Sequence, residues 1–463
     1  MISSPSVSTS RAADVGLFDQ TALSELAQRL VEAARRAGAD AADAVAVRGV
    51  SQGVEVRDGR VEESERSEGD DVGLRVLVGK RQAVISTNDI GGDNVAKLAE
   101  RAVAMARVAP DDDYVGLADP ALLAREFPDL DLLDPAMPST AELERRALEA
   151  EAAGIAVKGV TKSGGASAST GIGGMVLVTS TGFHGAYLRS SQGISMMAIV
   201  GEGTGMERDY DFSSALHAAD LESPASIGRR AGERAVARAN PRKAETCKAP
   251  VIFDPRVAGS LVGHLVGAAN GASIARKTSF LKDRLGQQLF AKGIRIIDDP
   301  RRVRGLRSQS FDAEGVATKP LAIIDDGVLT SWLLDSTTAR ELGMATTGHA
   351  HRGVSSSPSP GAYNLHMAAG EPTPAELVAD IKQGFYVTDL IGSGVNGVTG
   401  DYSRGASGFW IENGKLTYPV SEITIAGHLI EMFKSLQPAN DLEFRYGVNA
   451  PTLRIEGLTI AGR

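Results

Sequence analysis

Residues 44–87 decide the fold of the first half of the chain and read AVAVRGVSQGVEVRDGRVEESERSEGDDVGLRVLVGKRQAVIST. Apolar and polar residues alternate here in short runs, which is the period-two pattern of half-buried strands. Asp58-Gly59 is a strong signal for a hairpin turn, and Gly79-Lys80 is a weaker one. The stretch therefore predicts several short strands of one antiparallel sheet.

Helical patterns flank these strands. Apolar residues recur at helical spacing over 21–38, and Gly38 supplies a C-terminal stop. The same spacing predicts further helices at 94–109, 140–157 and 224–239. We therefore expect residues 19–243 to form one α+β domain in which helices cover an antiparallel sheet.

Other segments of this half lack a clear element. Residues 1–18 have one arginine and no apolar stretch, so we expect a short disordered lead and no secretory signal. Residues 110–138 are rich in Asp and Pro and indicate a connection. The composition of residues 162–174, KSGGASASTGIGG, indicates a flexible or edge segment before a β-meander over 175–203.

The pattern changes after Pro250. A strand at 250–254 and a helix at 255–270 precede many short β-like runs that Gly, Pro, Asn and Asp separate. One helix at 373–383 interrupts these runs, which are 294–299, 321–327, 329–335, 364–370, 386–392, 408–414, 416–421 and 453–462. We expect residues 244–463 to form a β-rich domain with a closed or nearly closed, barrel-like sheet.

Composition narrows the class of protein. The chain has 463 residues, of which 43% are apolar and 23% charged, as is ordinary for globular proteins. The single cysteine, Cys247, lies in a polar segment over 240–250 that we interpret as a linker, and one cysteine excludes an intramolecular disulfide framework. The formal charge of −9 argues against binding of nucleic acid or anionic membranes, and no apolar run is long enough to cross a bilayer. We expect a soluble, cytoplasmic protein.

Two local motifs suggest ligands but have simpler interpretations. Gly392–Gly397 matches the G-x-G-x-x-G pattern of dinucleotide sites, yet no helical pattern follows it, so a glycine-rich turn or bulge is favoured. Arg301–Arg307 contains four arginines, which we interpret as a solvated edge with acidic neighbours.

Histidines are the other candidates. His349 and His351 would face the same side of a strand, and with His366 they could form a zinc site. The pair lies in a segment rich in Gly, Ser and Pro, where ordinary hydrogen-bonding histidines are commoner. No serine stands in a G-x-S-x-G elbow, and Cys247 has no histidine close to it in sequence, so nucleophilic catalysis has no support.

The helix at 255–270 is the most informative element. Gly259, Gly263 and Gly267 recur every four residues, and such a costly stripe usually means that another backbone packs closely on it. His264 lies beside the stripe. Zinc peptidase helices need two histidines a turn apart and a glutamate base, which this helix lacks, so we favour a hydrogen-bonded packing role for His264.

Three stretches carry a family resemblance. Residues 251–290, 298–329 and 389–427 strongly resemble the TldD/PmbA family, and more narrowly its PmbA (TldE) branch. The resemblance covers most of residues 20–463. It is looser in the first half, where 73–87 match best.

The resemblance implies a function. In that family TldD and PmbA subunits form a cytoplasmic heterodimeric metallopeptidase that degrades unfolded peptides and processes some modified precursors. The TldD subunit carries an H-E-x-x-x-H helix and a late cysteine. Laid on this chain, the histidine, glutamate and histidine positions become Gly263, His264 and Ala268, or else His264, Leu265 and Ala269. Neither register restores a metal pair or a base, and no cysteine follows.

We therefore expect a non-catalytic subunit with no metal of its own, whose partner is a TldD-like subunit that holds the zinc. His264 and Arg404 are the candidate substrate-binding residues, and unfolded or precursor peptides are the expected substrates. Alternatives remain open: an active metallopeptidase using His349, His351 and His366, a homodimer, or a regulatory protein acting on DNA gyrase or a toxin–antitoxin pair.

Overall fold

The computed structural model of the chain describes residues 19–89 and 94–462, so the lead expected at 1–18 lies outside the described residues. The helices of the described residues are α1 Thr21–Arg36, α2 Val95–Val108, α3 Thr140–Ile155, α4 Pro224–Ala237, α5 Pro255–Ala268, α6 Gly271–Ala275, α7 Ser336–Glu341, α8 Pro374–Ala379 and α9 Leu429–Ser435. None of them is long and apolar enough to cross a membrane.

The strands fall into four sheets. They are β1 Ala41–Arg57, β2 Arg60–Val78, β3 Arg81–Thr87, β4 Val160–Thr179, β5 His184–Val200, β6 Glu207–Ala215, β7 Cys247–Phe253, β8 Ile296–Asp298, β9 Leu321–Asp325, β10 Val328–Leu329, β11 Ala350–His351, β12 Ser359–Pro360, β13 Leu365–Met367, β14 Gln383–Ile391, β15 Asp401–Glu412, β16 Lys415–His428, β17 Gln437–Pro438, β18 Val448–Asn449 and β19 Leu453–Ala461.

The N-terminal sheet is antiparallel, in the order β3-β2-β1-β4-β5-β6. The hairpin turns predicted at Asp58-Gly59 and Gly79-Lys80 are confirmed, and Asp58 and Gly59 have φ angles of 53° and 71°, as a type I′ turn requires. The runs predicted as separate short strands are joined. β1 and β2 are 17 and 19 residues long because their Ser and Gly residues pair with neighbouring strands.

The prediction for residues 162–174 is the main error in this half. Its Gly and Ser content indicated a flexible or edge segment, but it belongs to β4, which pairs with β1 on one side and β5 on the other. Ladder hydrogen bonds on both sides outweigh the low strand propensity of glycine. The small residues instead leave part of the sheet surface open.

Helices α1 to α4 cover one face of this sheet. Helices α1 and α2 pack on Ala44, Leu74 and Val176, and the cluster that contains α3 and α4 includes Ala168 and Ile194 farther along the same face. Alternate residues of a strand face opposite sides, and the even-numbered residues of β1 and β4 are the ones that face the helices. The opposite face contacts the C-terminal half around Val45 and Leu177 and, on β6, where the Phe212 ring meets Tyr446.

The C-terminal half contains the barrel that the sequence predicted. β16, β15, β14, β7 and β19 are neighbours in that order, and the pairing of β19 with β16 closes the ring. β7 and β14 are parallel, and the remaining pairs of the ring are antiparallel. Helix α5 packs between this barrel and a second sheet of order β10-β9-β8-β13-β18.

Two local predictions in this half were wrong. Residues 329–335 are not a strand beyond Leu329, because Asp335 caps α7 through a reciprocal capping box with Thr338. Cys247 is not in a linker but is the first residue of β7, where it pairs with Ile460. Burial raises the pKa of its thiol.

Candidate functional site

The start of α5 is held by both halves of the chain. Asp254 caps the helix by accepting a hydrogen bond from the Arg256 amide at 3.0 Å, and Pro255 occupies the first turn. The Arg256 guanidinium donates to Asp209 of β6 at 2.8 Å. Tyr386 of β14 donates to Asp254 at 3.1 Å. These bonds fix the helix relative to both the barrel and the N-terminal sheet.

The glycine stripe of α5 is only partly a packing device. A Cβ at Gly259 would lie 2.9 Å from the Val448 carbonyl oxygen, so there another backbone does approach closely. A Cβ at Gly263 or Gly267 would meet nothing within 4 Å. The prediction that a backbone packs along the whole stripe is therefore wrong, and the C-terminal part of α5 presents an open surface.

His264 lies beside this open surface and faces β15. Its ring meets Tyr402 edge-to-face with centroids 6.1 Å apart. Arg404 is two residues further along the same strand and acts electrostatically on His264. The structure thus brings together the two residues singled out from the sequence, and we call His264, Tyr402 and Arg404 the α5–β15 site. Tyr402 was missed, although the i, i+2 spacing in Tyr-Ser-Arg could have indicated it.

The polar atoms of this site are incompletely bonded. His264 Nε2 and Tyr402 Oη are both buried, and neither has a hydrogen-bond partner among residues 19–89 and 94–462, so His264 is not the satisfied packing histidine expected. Arg404 Nε donates to the Ile391 carbonyl at 3.3 Å, and no salt bridge involves Arg404 within the described residues. Unpaired buried polar atoms are costly, and a bound ligand is one way to satisfy them.

Charge at the site favours a neutral imidazole. Burial, and then the positive charge of Arg404, lower the pKa of His264 below 6.5. Burial raises the pKa of Tyr402 well above its usual value. At neutral pH the site therefore offers a neutral imidazole, a phenol and one guanidinium, which can bond to the amides and carboxylates of a peptide.

A titration tests this electrostatic description. NMR of the His264 ring protons should give a midpoint below 6.5, and Arg404→Gln should raise that midpoint without restoring it fully, because burial is the larger cause. The unfolded chain binds this proton more readily, so His264 contributes stability above about pH 6.5 that is lost as pH falls through the folded pKa. A midpoint at or above 6.5 in the unaltered chain would contradict the description.

The donor set of this site does not fit zinc. Zinc in proteins takes three or four ligands from Cys, His, Asp and Glu, whereas His264 is the only such residue of the α5–β15 site and Arg404 adds a positive charge. The positions one turn after His264 are Gly267 and Ala268, neither of which can ligate a metal ion. Among residues 19–89 and 94–462, no three His, Cys, Asp or Glu side chains are placed to hold a metal ion.

The trio His349, His351 and His366 is not placed to hold a metal ion either. His349 and His351 both contact the Tyr363 ring, at centroid distances of 5.4 and 4.4 Å, and His366 packs edge-to-face against Phe444. The Thr347 carbonyl lies 2.8 Å from His349 Nδ1. Burial is the first cause that lowers the pKa of His351, to about 4. These histidines are packed among aromatic rings and are not arranged around a shared ion.

The glycine motif and the arginine cluster have structural roles. Gly392–Gly397 lies in the connection between β14 and β15, and a Cβ at Gly394 would be 2.1 Å from the Ser403 carbonyl oxygen. The interpretation as a glycine-rich turn is confirmed, since a strand and not a helix follows. In the cluster, Arg304 pairs with Asp131 and Asp220 at 2.6 and 3.0 Å, as expected of a solvated edge with acidic neighbours.

Comparisons with known proteins all point to one family. Models of the PmbA/TldA metallopeptidase family match residues 42–106 (domain 1), 133–239 (central domain) and 246–462 (C-terminal domain). The chain is 39% identical over 412 residues to Metalloprotease PmbA of Escherichia coli O157:H7, covering 89% of this chain and 90% of that protein.

Solved structures show the same fold. A putative modulator of DNA gyrase from Bacteroides thetaiotaomicron superposes with a TM-score of 0.88 at 28% identity, over 95% of this chain and 98% of that one. TldE from Thermococcus kodakarensis superposes with a TM-score of 0.83 at 20% identity, over 94% and 100% of the two chains.

Proposed function

Because this chain belongs to the PmbA/TldA metallopeptidase family, we propose that it is the PmbA (TldE)-like subunit of a cytoplasmic peptidase complex and is not catalytic itself. Its partner is a TldD-like subunit that holds the zinc. The complex acts on unfolded or precursor peptides, and this chain contributes peptide-binding surface.

The observation that carries the proposal is the chemistry of the α5–β15 site. A zinc peptidase lowers the pKa of a metal-bound water and removes its proton with a carboxylate base. The site supplies one histidine and no carboxylate, and Arg404 disfavours a cation. No residue of the site can activate a water molecule in this way, so the hydrolytic step is assigned to the partner.

The same residues support a binding role. Neutral His264 and the Tyr402 hydroxyl have unfilled hydrogen-bonding capacity, and the surface next to them at Gly263 and Gly267 is open. A peptide segment lying along α5 would satisfy both groups through its amides. Arg404 would bond to a carbonyl or a carboxylate of the same segment.

Reconstitution tests the assignment. The chain, the TldD-like subunit of the same organism and a mixture of both are assayed for cleavage of an unstructured peptide and for co-elution by size-exclusion chromatography. We expect cleavage by the mixture, none by this chain alone, and co-elution of the two. Cleavage by this chain alone, or equal cleavage by the partner with and without it, would overturn the proposal.

A variant pair tests the binding role. His264→Ala in the reconstituted complex should raise KM several-fold and leave kcat nearly unchanged, because it removes binding and not chemistry. His184→Ala is the matched control, since His184 is an exposed histidine whose Nε2 lies 3.1 Å from Ser24 Oγ. A loss of kcat in His264→Ala of about a hundredfold or more at unchanged KM would mean that His264 takes part in catalysis.

A further inference from the structure

The face of the N-terminal sheet that the helices leave uncovered contains a floor of glycines. Gly69, Gly49 and Gly173 are directly opposite one another on β2, β1 and β4, and Arg189 of β5 completes this row. The neighbouring row consists of Ser67, Ser51, Gly171 and Ser191. An open cavity of about 650 Å³ lies over both rows, which is within the usual size range of ligand sites.

Backbone packing does not explain these glycines. A Cβ at Gly69 would meet nothing within 4 Å, and the nearest atoms to a Cβ at Gly49 and Gly173 are at 3.7 and 3.9 Å. None of the three has a positive φ angle. Glycine weakens a strand interior and often marks a place where a ligand approaches the backbone closely. Here the cavity lies above the floor, and no atom of the described residues occupies the position of a Cβ contact at Gly69.

Arg189 stands at the end of this floor without an anionic partner. It donates to the Ser308 carbonyl through Nη2, while its Nε is buried with no hydrogen-bond partner. No carboxylate forms a salt bridge with it within the described residues. Burial lowers its pKa, opposed only by Tyr187. By contrast, the more deeply buried Arg75 is held by Asp43 at 2.8 Å.

The other arginines around the cavity each have a carboxylate partner. Arg48 is paired with Asp70 at 2.7 Å, and the Arg352 guanidinium is buried against Asp43, which it shares with Arg75. Nε and Nη2 of Arg352 have no hydrogen-bond partner within the described residues. Asp71 lines the cavity from an exposed position. Arg189 is therefore the cavity arginine that has no carboxylate partner within the described residues.

We propose that this cavity binds a carboxylate of a peptide, with Arg189 as the counter-charge and the glycine floor as the surface on which the adjoining peptide residues lie. A carboxylate matches the fork of a guanidinium and would bond to the unpartnered Nε. That the ligand is a peptide rests on the proposed function. The carboxylate could be the C-terminal group or an Asp or Glu side chain.

Calorimetric titration of the full chain with three probes separates these sources. The probes are tetra-alanine as the free acid, tetra-alanine with an amidated C-terminus, and an N-acetylated, C-amidated tripeptide with one central aspartate. We expect the free acid, the aspartate peptide or both to bind, at least tenfold more tightly than the amide without a carboxylate. Absence of binding by every probe, or binding of both carboxylate probes that is no tighter than that of amidated tetra-alanine, would overturn the proposal.

Variants assign the binding to this cavity. Arg189→Gln should weaken carboxylate binding about tenfold or more, and Gly69→Val should do so by filling the floor while Arg189 is intact. Arg66→Gln, at an exposed arginine that pairs with Glu68, is the control and should bind normally. Circular dichroism checks that each variant is folded. Unchanged binding in both cavity variants would place the ligand elsewhere.

This experiment is independent of the peptidase assay. Carboxylate binding by the chain with no active complex would refute the proposed function and keep this site. If the complex is active but the chain binds carboxylates no better than amides, the proposed function stands and this site is refuted.

Discussion

Asp43→Asn is expected to lower the free energy of unfolding by about 3–5 kcal/mol, because it leaves two buried guanidinium groups without their shared anion. Asp43 is 1% exposed and lies between Arg75 of β2 and Arg352 of the strap, as we call residues 352–358, which join β11 to β12. The strap belongs to the C-terminal half, so the carboxylate also joins the two halves of the chain.

The pH dependence of this effect has a definite sign. Burial alone would raise the pKa of Asp43, but Arg75 and Arg352 outweigh it and hold the pKa below its usual value. The carboxylate therefore stabilises the fold above about pH 4, and this contribution is lost as pH falls through the folded pKa. Urea unfolding at pH 7 and at pH 3 should show the difference between Asp43→Asn and the unaltered chain shrinking at the lower pH.

Asp70→Asn is the control for Asp43→Asn. Asp70 pairs with Arg48 on the same sheet, but both side chains are 25% exposed, so solvent screens the pair. We expect Asp70→Asn to lower the free energy of unfolding by about 1 kcal/mol or less. If both variants lowered the free energy of unfolding by the same amount, burial of the Asp43 ion pairs would not be what makes them stabilising.

Gly228→Ala is expected to destabilise the fold by about 3 kcal/mol or more. Helices α3 and α4 cross with their backbones in contact, and a Cβ at Gly228 would lie 1.8 Å from the Ala150 carbonyl oxygen and 3.0 Å from the Gly154 amide nitrogen. No flexible side chain can move aside, so the two helices must separate. The gain of about 1 kcal/mol that alanine brings to a helix is smaller than this cost.

Gly267→Ala is the matched variant that we expect to stabilise the fold. Gly267 is also a helical glycine, but a Cβ there meets nothing within 4 Å. We expect the free energy of unfolding to rise by about 0.5–1 kcal/mol. Thermal or urea unfolding of both variants checks the pair, and destabilisation by Gly267→Ala would mean that another backbone does pack along the whole stripe.

The sequence was sufficient for features set by local patterns. Periodicity located α1 to α5, and the dense series of short strands after Pro250 indicated the barrel. It failed where tertiary pairing overrides composition, as for the Gly- and Ser-rich residues 162–174 in the middle of the sheet. It also failed at 329–335, where one capping aspartate redirects an apolar run.

The candidate sites were predictable only in part. His264 and Arg404 lie 140 positions apart in the numbering, and the family pattern, not periodicity, pointed to both before the barrel brought them together. Spacing could not distinguish Gly259, which touches another backbone, from Gly263 and Gly267, which do not. The Asp43–Arg352 pair and the cavity at Arg189 depend on packing between the halves, for which the sequence carries no local signal.

The zinc content of the chain purified without its partner distinguishes a non-catalytic subunit from a zinc enzyme. Elemental analysis after dialysis against zinc-free buffer should find far less than one zinc per chain, and the same value for His264→Ala. One tightly held zinc per chain that His264→Ala removes would contradict the account, because the α5–β15 site would then be a metal centre.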